Sequence, residues 1–373
     1  MARVLLAFEP PDGGVAENVL QLALGLGAHG HRVEVAGPTQ ALVYPALRAA
    51  GIPLHRTAQS RSYRHPGREL LAVRQLGAVA RRRRIDVLHC HAAKAGVTGR
   101  LAAALVGMPA LYTPHCFPFI GEFGTPRRLA AIAVERALAP LAAAIVCVAE
   151  WERRAALANG IGPPERLHVI PNGARPCQAL APDPALVALR GDGVLAASVS
   201  VLRAQKTVGV FLDAVPRILR QVPEARCAVV GDGPEREALR ARARARGLDT
   251  EPRFAFMPFA PPTARYLRAL DVYVQPSSWE ALPIGLLEAL ACGVPQVATD
   301  VGGTSEAMTP ATGVLVAPHD PAALAAATVA LLRDPARRAA LGRASMARQA
   351  ERFGVERMVA RTARLYDDLV AAR

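Results

Sequence analysis

The sequence predicts an α/β protein made of two doubly wound domains facing a cleft. Three observations predict it. Short apolar runs alternate with helix-length segments along all 373 residues. The rhythm breaks once, just past residue 175, and then restarts. The length also suits two domains of ~100–200 residues each. Near-continuous apolar strands are buried on both faces, with helices covering each side. Their alternation with helices argues for a parallel sheet.

In chain order, the first domain (1–175) shows strand-like runs at 4–8, 33–37, 87–91, 111–115, 144–149 and 168–171. Helical stretches fall between them at 15–29, 68–84, 95–107, 126–140 and 151–158. Residues 176–193 are rich in Pro, Gly and Asp and read as a linker. The second domain (194–354) shows strands at 195–201, 226–231, 254–257, 272–276, 296–300 and 313–317. Its helices are expected at 207–221, 234–246, 261–270, 283–292, 320–333 and 335–350. The last segment, 355–373, reads as a helix packing back on the first domain. In doubly wound sheets, ligands bind outside the carboxyl ends of the strands. Chemistry is therefore expected on the loops after strands.

Composition narrows the function classes. No apolar run reaches the ~18–20 residues of a membrane helix; the longest, 141–149, has the length of a buried strand. Met1-Ala2-Arg3 runs straight into a strand, so no signal peptide is expected. Six scattered cysteines without a C-x-x-C pair predict reduced thiols and a cytoplasmic chain. The net charge of +14 is uneven. Residues 1–190 carry 22 Lys and Arg against 12 Asp and Glu, and nine arginines fall between Arg56 and Arg84. Such a face suits an anionic partner (nucleic acid, a membrane surface or a phosphorylated substrate), or it is a solvated surface in an Arg-rich chain. The 68–84 helix sets Leu70, Leu71, Val73 and Leu76 beside Arg74, Arg81 and Arg84, and the 116–124 loop adds three phenylalanines, which either dip into the interface or pack locally. Peripheral association with the inner face of an anionic membrane follows as a hypothesis. No RNP, zinc or helix-turn-helix signature supports nucleic-acid binding. His89, Cys90 and His91 have no fourth ligand spaced for zinc, so no metal is expected.

The strongest motif is WEALPIGLLEALACGVPQVATDVGG, 279–303. Pro283 suits the start of a helix. Backbone N–H groups around Leu282, Ile284 and Gly285 can hold a diphosphate at that helix start. Glu288, inside the helix, can accept both hydroxyls of a ribose, and Glu280, on the loop, those of a transferred sugar. In SVSVLRAQKTVGVFLDAV (198–215), Lys206 is one of only two lysines, the other being Lys94. A lysine there is a point charge suited to phosphate.

These stretches resemble the donor site of glycosyltransferase family 4, the retaining transferases with two Rossmann-like domains (the GT-B fold). The resemblance implies that Arg203 and Lys206 clamp the diphosphate of a nucleotide-sugar. Many relatives carry Gly-Arg where this chain has Ser200-Val201, so Arg203 lies three residues before the lysine instead of five. It further implies that Gly231 and Gly233 approach the nucleotide and that Met257 and Pro258 border the base. Gly13 and Gly14 would lie against the donor phosphates and the acceptor, and His115, at the end of a strand, would contact the transferred sugar. Lys94 would meet an acidic or phosphorylated acceptor or merely start a helix. The 85–119 segment resembles a subgroup that assembles surface polysaccharides and glycolipids. The implied reaction is metal-independent and cofactor-free. It moves a sugar from a UDP donor, or less commonly a GDP donor, to a glycan, lipid-linked or small-molecule acceptor. A nucleotide-sugar epimerase on the same fold and a basic nucleic-acid-binding protein are the alternatives.

Overall fold

The computed structural model describes residues 1–59 and 66–372. Arg61 and Arg64 of the basic stretch lie outside the described residues. The chain divides into two units, Met1–Gly173 with Val355–Arg373, and Ala174–Gly354.

The first unit runs β1 (Arg3–Phe8), α1 (Gly13–Gly25), β2 (Arg32–Gly37), α2 (Tyr44–Ala49), β3 (Leu54–Arg56), α3 (Pro66–Arg83), β4 (Val87–His91), α4 (Ala93–Val106), β5 (Ala110–Thr113), α5 (Thr125–Leu138), β6 (Ala144–Cys147), α6 (Glu150–Ala158) and β7 (Leu167–Val169). Its parallel sheet has the order β3-β2-β1-β4-β5-β6-β7. The second unit runs α7 (Pro184–Arg190), β8 (Val194–Val199), α8 (Val208–Gln221), β9 (Ala225–Val230), α9 (Arg236–Ala245), β10 (Phe254–Met257), α10 (Ala264–Leu267), β11 (Val272–Gln275), α11 (Ile284–Ala291), β12 (Gln296–Thr299), α12 (Thr304–Ala307), β13 (Gly313–Val316), α13 (Pro321–Leu332) and α14 (Pro335–Arg352). Its parallel sheet has the order β10-β9-β8-β11-β12-β13. The final helix α15 (Val355–Ala371) packs Met358, Val359, Ala363 and Tyr366 into the core of the first unit.

Both strand orders reverse once, between β1 and β4 and between β8 and β11. Loops leaving the two central strands diverge there and open a crevice, the usual ligand position. Two glycines on α4 show how tightly the first sheet is covered. A Cβ on Gly96 would fall 2.3 Å from the Tyr112 ring, and one on Gly99 would fall 2.1 Å from Cys90 Sγ. The helix can lie this close only because both positions lack a side chain.

Four expectations need correction. Residues 176–193 contain α7, capped by Asp183, whose carboxylate accepts from the Ala185 and Leu186 backbones. Leu186 is buried in the second unit's core, so that stretch belongs to the unit. Elements α2 and β3 were not expected; they are too short and only partly buried to carry a periodic pattern. The strand expected at 111–115 ends at Thr113. The six thiols are not all free: Cys177 and Cys292 form a disulfide, leaving Cys90, Cys116, Cys147 and Cys227 reduced. The partners are 115 residues apart in sequence, a separation no local spacing motif reveals.

Beneath the β5 loop sits a buried ion pair. Arg100 Nη2 donates to Glu135 Oε2 at 2.9 Å, and Tyr112 Oη donates to Oε1 at 3.0 Å. The guanidinium also lies 4.1 Å from the Tyr112 ring centroid. Burial, and then the Glu135 charge, push the Tyr112 hydroxyl well above its usual pKa. Removing one partner of such a pair strands the other charge in the core. Glu135→Ala is expected to destabilise the first unit by about 3–5 kcal/mol, read by denaturant titration. A change under 1 kcal/mol would refute this anchoring role.

Candidate active site

In the second unit, the loops after β8 and β11 meet at the point where strand order reverses. Lys206 Nζ lies 2.5 Å from Glu280 Oε1. Ser277 Oγ donates to the same oxygen at 2.8 Å, and Gln205 Nε2 donates to Oε2 at 3.2 Å and to Trp279 O at 3.0 Å. The backbones are tied as well: Ser278 N donates to Gln205 O at 2.9 Å, and Thr207 Oγ1 and Ser278 Oγ lie 2.5 Å apart. A carboxylate has about four lone-pair positions. Both on Oε1 are taken, and one remains on Oε2. Glu280 is 4% exposed, so this chain holds a nearly buried carboxylate with room for one further donor.

The loop after β12 closes this assembly. Gly302 has φ of +57°, and a Cβ there would come 1.7 Å from the Glu280 carbonyl oxygen. Gly303 N donates to Ala281 O at 2.9 Å. Thr299 Oγ1 donates to Ser277 O at 2.5 Å. The VGG turn lies inside the 279–303 motif, but its sequence alone indicates no role. Gln205, Ser277 and Thr299 are not marked either, because isolated polar residues in loops or at strand ends carry no spacing signal.

Helix α11 begins at Ile284, with Pro283 as its N-cap. The side chains of Leu282, Pro283 and Ile284 are buried, so what this turn can present is backbone N–H. Glu288 sits just over one turn into α11 and is half-buried. Tyr273, under this helix start, is pushed up by burial and then by Glu280 and Glu288. Its hydroxyl would lie 3.0 Å from a Cβ on Gly285. Arg203 is half-buried and opens the turn carrying Lys206, whose N–H donates to Arg203 O at 2.9 Å. Gly231 and Gly233 follow β9. Their missing Cβ atoms would fall 2.0 Å from Ser200 O and 2.4 Å from Leu202 O, so both glycines serve the packing of the β8 loop. Met257 ends β10, its carbonyl accepting from Gly231 N at 3.0 Å, and Pro258 follows, exposed.

In the first unit, Gly13 and Gly14 open α1 after β1, and Gly13 has φ of +74°. His115 is not at a strand end as expected. It lies two residues past β5 with φ of +51°, followed by Cys116 at +98°. The unusual backbone is secured by Glu152 on α6, fully buried, whose carboxylate accepts from Cys116 N at 2.7 Å and Val148 N at 2.8 Å. Nothing in the sequence marked Glu152, since an acid inside a surface-type helix pattern reads as solvated.

His115 Nε2 lies 3.0 Å from His91 Nδ1. His89, two residues earlier, bonds Tyr366 Oη at 2.6 Å through Nδ1 and Thr113 Oγ1 at 2.7 Å through Nε2. Cys90 points to the other face, into the core. Lys94 is buried and pairs with Glu69 at 2.7 Å. Phe117 and Phe119 of the 116–124 loop are buried and stacked 5.0 Å apart, so they pack locally. Burial, with smaller contributions from the neighbouring histidines, lowers His89 to about 3 and His91 well below 6.5. His115, part of whose surface stays open, is lowered by burial to about 3 as well.

These shifts have a stability consequence. Depressed histidines are neutral when folded, while the unfolded chain takes up protons near pH 6.5. Stability is full above that pH and is lost as pH falls from about 6.5 toward about 3. Each histidine contributes a slope of about 1.4 kcal/mol per pH unit. Denaturant midpoints measured from pH 7 to pH 4.5 should fall steadily, and a His89→Asn variant should show a shallower slope. Flat stability over this range would contradict the neutral buried cluster.

Comparison with known proteins places both units. Residues 13–173 match the family model of a glycosyl transferase 4-like domain, and residues 194–334 match that of glycosyl transferases group 1. The chain is 31% identical to a D-inositol 3-phosphate glycosyltransferase of Thermobispora bispora, over 76% of this chain and 71% of that one. It is 24% identical to an Escherichia coli UDP-Gal:alpha-D-GlcNAc-diphosphoundecaprenol alpha-1,3-galactosyltransferase, over 64% of each chain. Among solved structures, Anabaena Alr3699/HepE in complex with UDP-glucose aligns with a TM-score of 0.83 at 20% identity, covering 99% of this chain and 100% of that one.

Proposed function

The chain belongs to glycosyltransferase family 4, retaining enzymes of the GT-B fold that move a sugar from a nucleotide-sugar, and we propose that its donor is a UDP-sugar and its acceptor lipid-linked. The Lys206–Glu280 pair beside the start of α11 carries the donor reading. Lys206 stabilises the leaving diphosphate as a point charge, and the free N–H groups of the first turn of α11 add a dipole aimed at the same anion. Arg203 supplies a second cation from the same turn. Glu288 holds the ribose. Glu280 keeps Lys206 in place and offers its one remaining lone-pair position, on Oε2, to a sugar hydroxyl. His115 contacts the transferred sugar, the Gly13–Gly14 turn lies against the phosphates, Gly231 and Gly233 shape the nucleotide side, and Met257 and Pro258 border the base.

Retention follows a front-face course in this reading. The glycosidic C–O bond to the diphosphate breaks, the acceptor hydroxyl bonds the same face of the anomeric carbon, and its proton passes to the departing phosphate. The transition state is oxocarbenium-like. Charge neutralisation at the diphosphate comes from Lys206, Arg203 and the helix start, and no step calls for a metal ion. UDP is favoured because the Anabaena neighbour is described with UDP-glucose and the Escherichia coli relative with UDP-Gal. A thermal-shift screen with UDP, GDP and ADP checks it: UDP alone should raise the melting midpoint at the lowest concentration. Stronger stabilisation by GDP or ADP would overturn the base, and none by any nucleotide would overturn the donor site.

The acceptor reading rests on the outer helices of the first unit. No helix among the described residues is long and apolar enough to cross a membrane. However, α3 exposes Leu70 and Leu71, α4 exposes Leu101 and Leu105, and α5 exposes Leu129 and Val134. The three helices are neighbours: Arg81 donates to Leu105 O, and Arg100 pairs with Glu135. Exposed Arg68, Arg74, Arg127 and Arg128 accompany these apolar residues. Apolar side chains among arginines suit an anionic lipid surface, where a lipid-linked acceptor resides. The chain should sediment with vesicles containing anionic phospholipid at low salt and release as salt rises, with Leu70→Ser/Leu71→Ser reducing binding. Absence of binding at low salt would refute the membrane reading while leaving the donor reading intact.

A further inference from the structure

His91 is the last residue of β4, fully buried, and its ring is aimed at the His115 loop. The His91 and His115 rings have centroids 5.3 Å apart and planes only 25° apart, with the nitrogens at 3.0 Å. The rings therefore meet edge to edge in nearly one plane, as an N–H···N hydrogen bond requires. That bond is the only one His115's ring makes among the described residues. The other nitrogen of His91, Nε2, is buried and has no hydrogen-bond partner.

Both rings are neutral, so one nitrogen of the pair carries the proton and the other accepts it. There are two arrangements. If His115 donates through Nε2–H, His91 must carry its own proton on Nε2, where it becomes a buried donor with no acceptor. If His91 donates through Nδ1–H, its Nε2 is a bare lone pair, and no N–H is stranded. Orphaned buried N–H groups are the rarer defect. The second arrangement also fixes His115: with Nε2 accepting, its proton sits on Nδ1, the nitrogen that makes no bond to the protein. Which ring nitrogen carries the proton is set by the hydrogen bond the other one makes.

We propose that His91 is a positioning residue, donating from Nδ1 to His115 Nε2 so that His115 is held as the Nδ1–H tautomer and presents that N–H to a hydroxyl of the transferred sugar. The sheet gives His91 a fixed position, and Glu152 fixes the left-handed loop that carries His115. The bare His91 Nε2 is the cost of this arrangement. The proposal rests on His115 being a sugar contact, as in the reading above.

Nitrogen-15 NMR of the histidine-labelled full chain near pH 7 reads both tautomers directly. His115 should be protonated at Nδ1 and bare at Nε2, and His91 likewise. A His115 carrying its proton on Nε2 would overturn the proposal before any variant is made. In His91→Asn, whose amide can donate from near the Nδ1 position, the His115 tautomer and most of the turnover should survive. In His91→Phe the tautomer should be lost and turnover should drop roughly 10–100-fold, with affinity for UDP unchanged because neither histidine of the pair is assigned a contact with the nucleotide. Equal turnover in the Asn and Phe variants would overturn the proposal. A correct tautomer in a chain that transfers no sugar would overturn the functional reading alone.

Discussion

The candidate site of the second unit depends on one contact, the ion pair between Lys206 and Glu280. Two loops leave neighbouring parallel strands at the point where strand order reverses, and nothing in a doubly wound sheet obliges their tips to touch. Here they are joined by opposite charges and then by Gln205, Ser277 and Ser278. Glycine at 302 lets the next loop lie against the Glu280 backbone, where any side chain would collide with it. A lysine ammonium on four single bonds is ordinarily mobile. Held against a carboxylate that is itself 4% exposed, it becomes a charge at a defined place. A preorganised charge stabilises a transition state without reorganising during reaction. The start of α11 then adds its backbone donors to a cation already in position.

The first unit uses the same principle with neutral groups. The clustered His89, His91 and His115 remain uncharged at neutral pH because burial penalises the imidazolium. Their value lies in direction. Two buried carboxylates, Glu135 and Glu152, hold the elements around them. Glu135 joins α4 and α5 beneath β5, and Glu152 ties the loop after β5 to the loop after β6. The left-handed backbone at His115 and Cys116 is costly for residues with side chains. The buried Glu152 contact to Cys116 N offsets that cost.

Much of this was legible in the sequence. Apolar runs such as 4–8 and 226–231 placed the long central strands, because burial on both faces leaves a simple pattern. The Glu280–Glu288 spacing, Pro283 and the scarce Lys206 marked the loops after β8 and β11, which the structure brings together. Less legible were features set by tertiary contact. Elements α2 and β3 are short, and α7 sits inside a stretch whose Pro and Asp read as a linker yet act as a helix start and cap. The Cys177–Cys292 disulfide and the burial of Glu152 depend on residues far apart in sequence. The arginine departure at Ser200-Val201 was visible. The structure shows Arg203 on the Lys206 turn, so the shorter spacing keeps both cations on one loop. For Phe117 and Phe119 the sequence left interface contact and local packing both open, because a loop sequence does not announce its burial; the two rings are buried.

The most direct test is turnover with a UDP-sugar in Lys206→Ala, Glu280→Gln and the double variant, alongside the thermal midpoint of each. If the two residues form one working unit, Lys206→Ala should lower turnover by roughly 10²–10³-fold. The double variant should then be little worse than the lysine variant, because residues acting together lose activity non-additively. All three should remain folded. Full activity in Lys206→Ala, or losses that multiply in the double variant, would contradict the account.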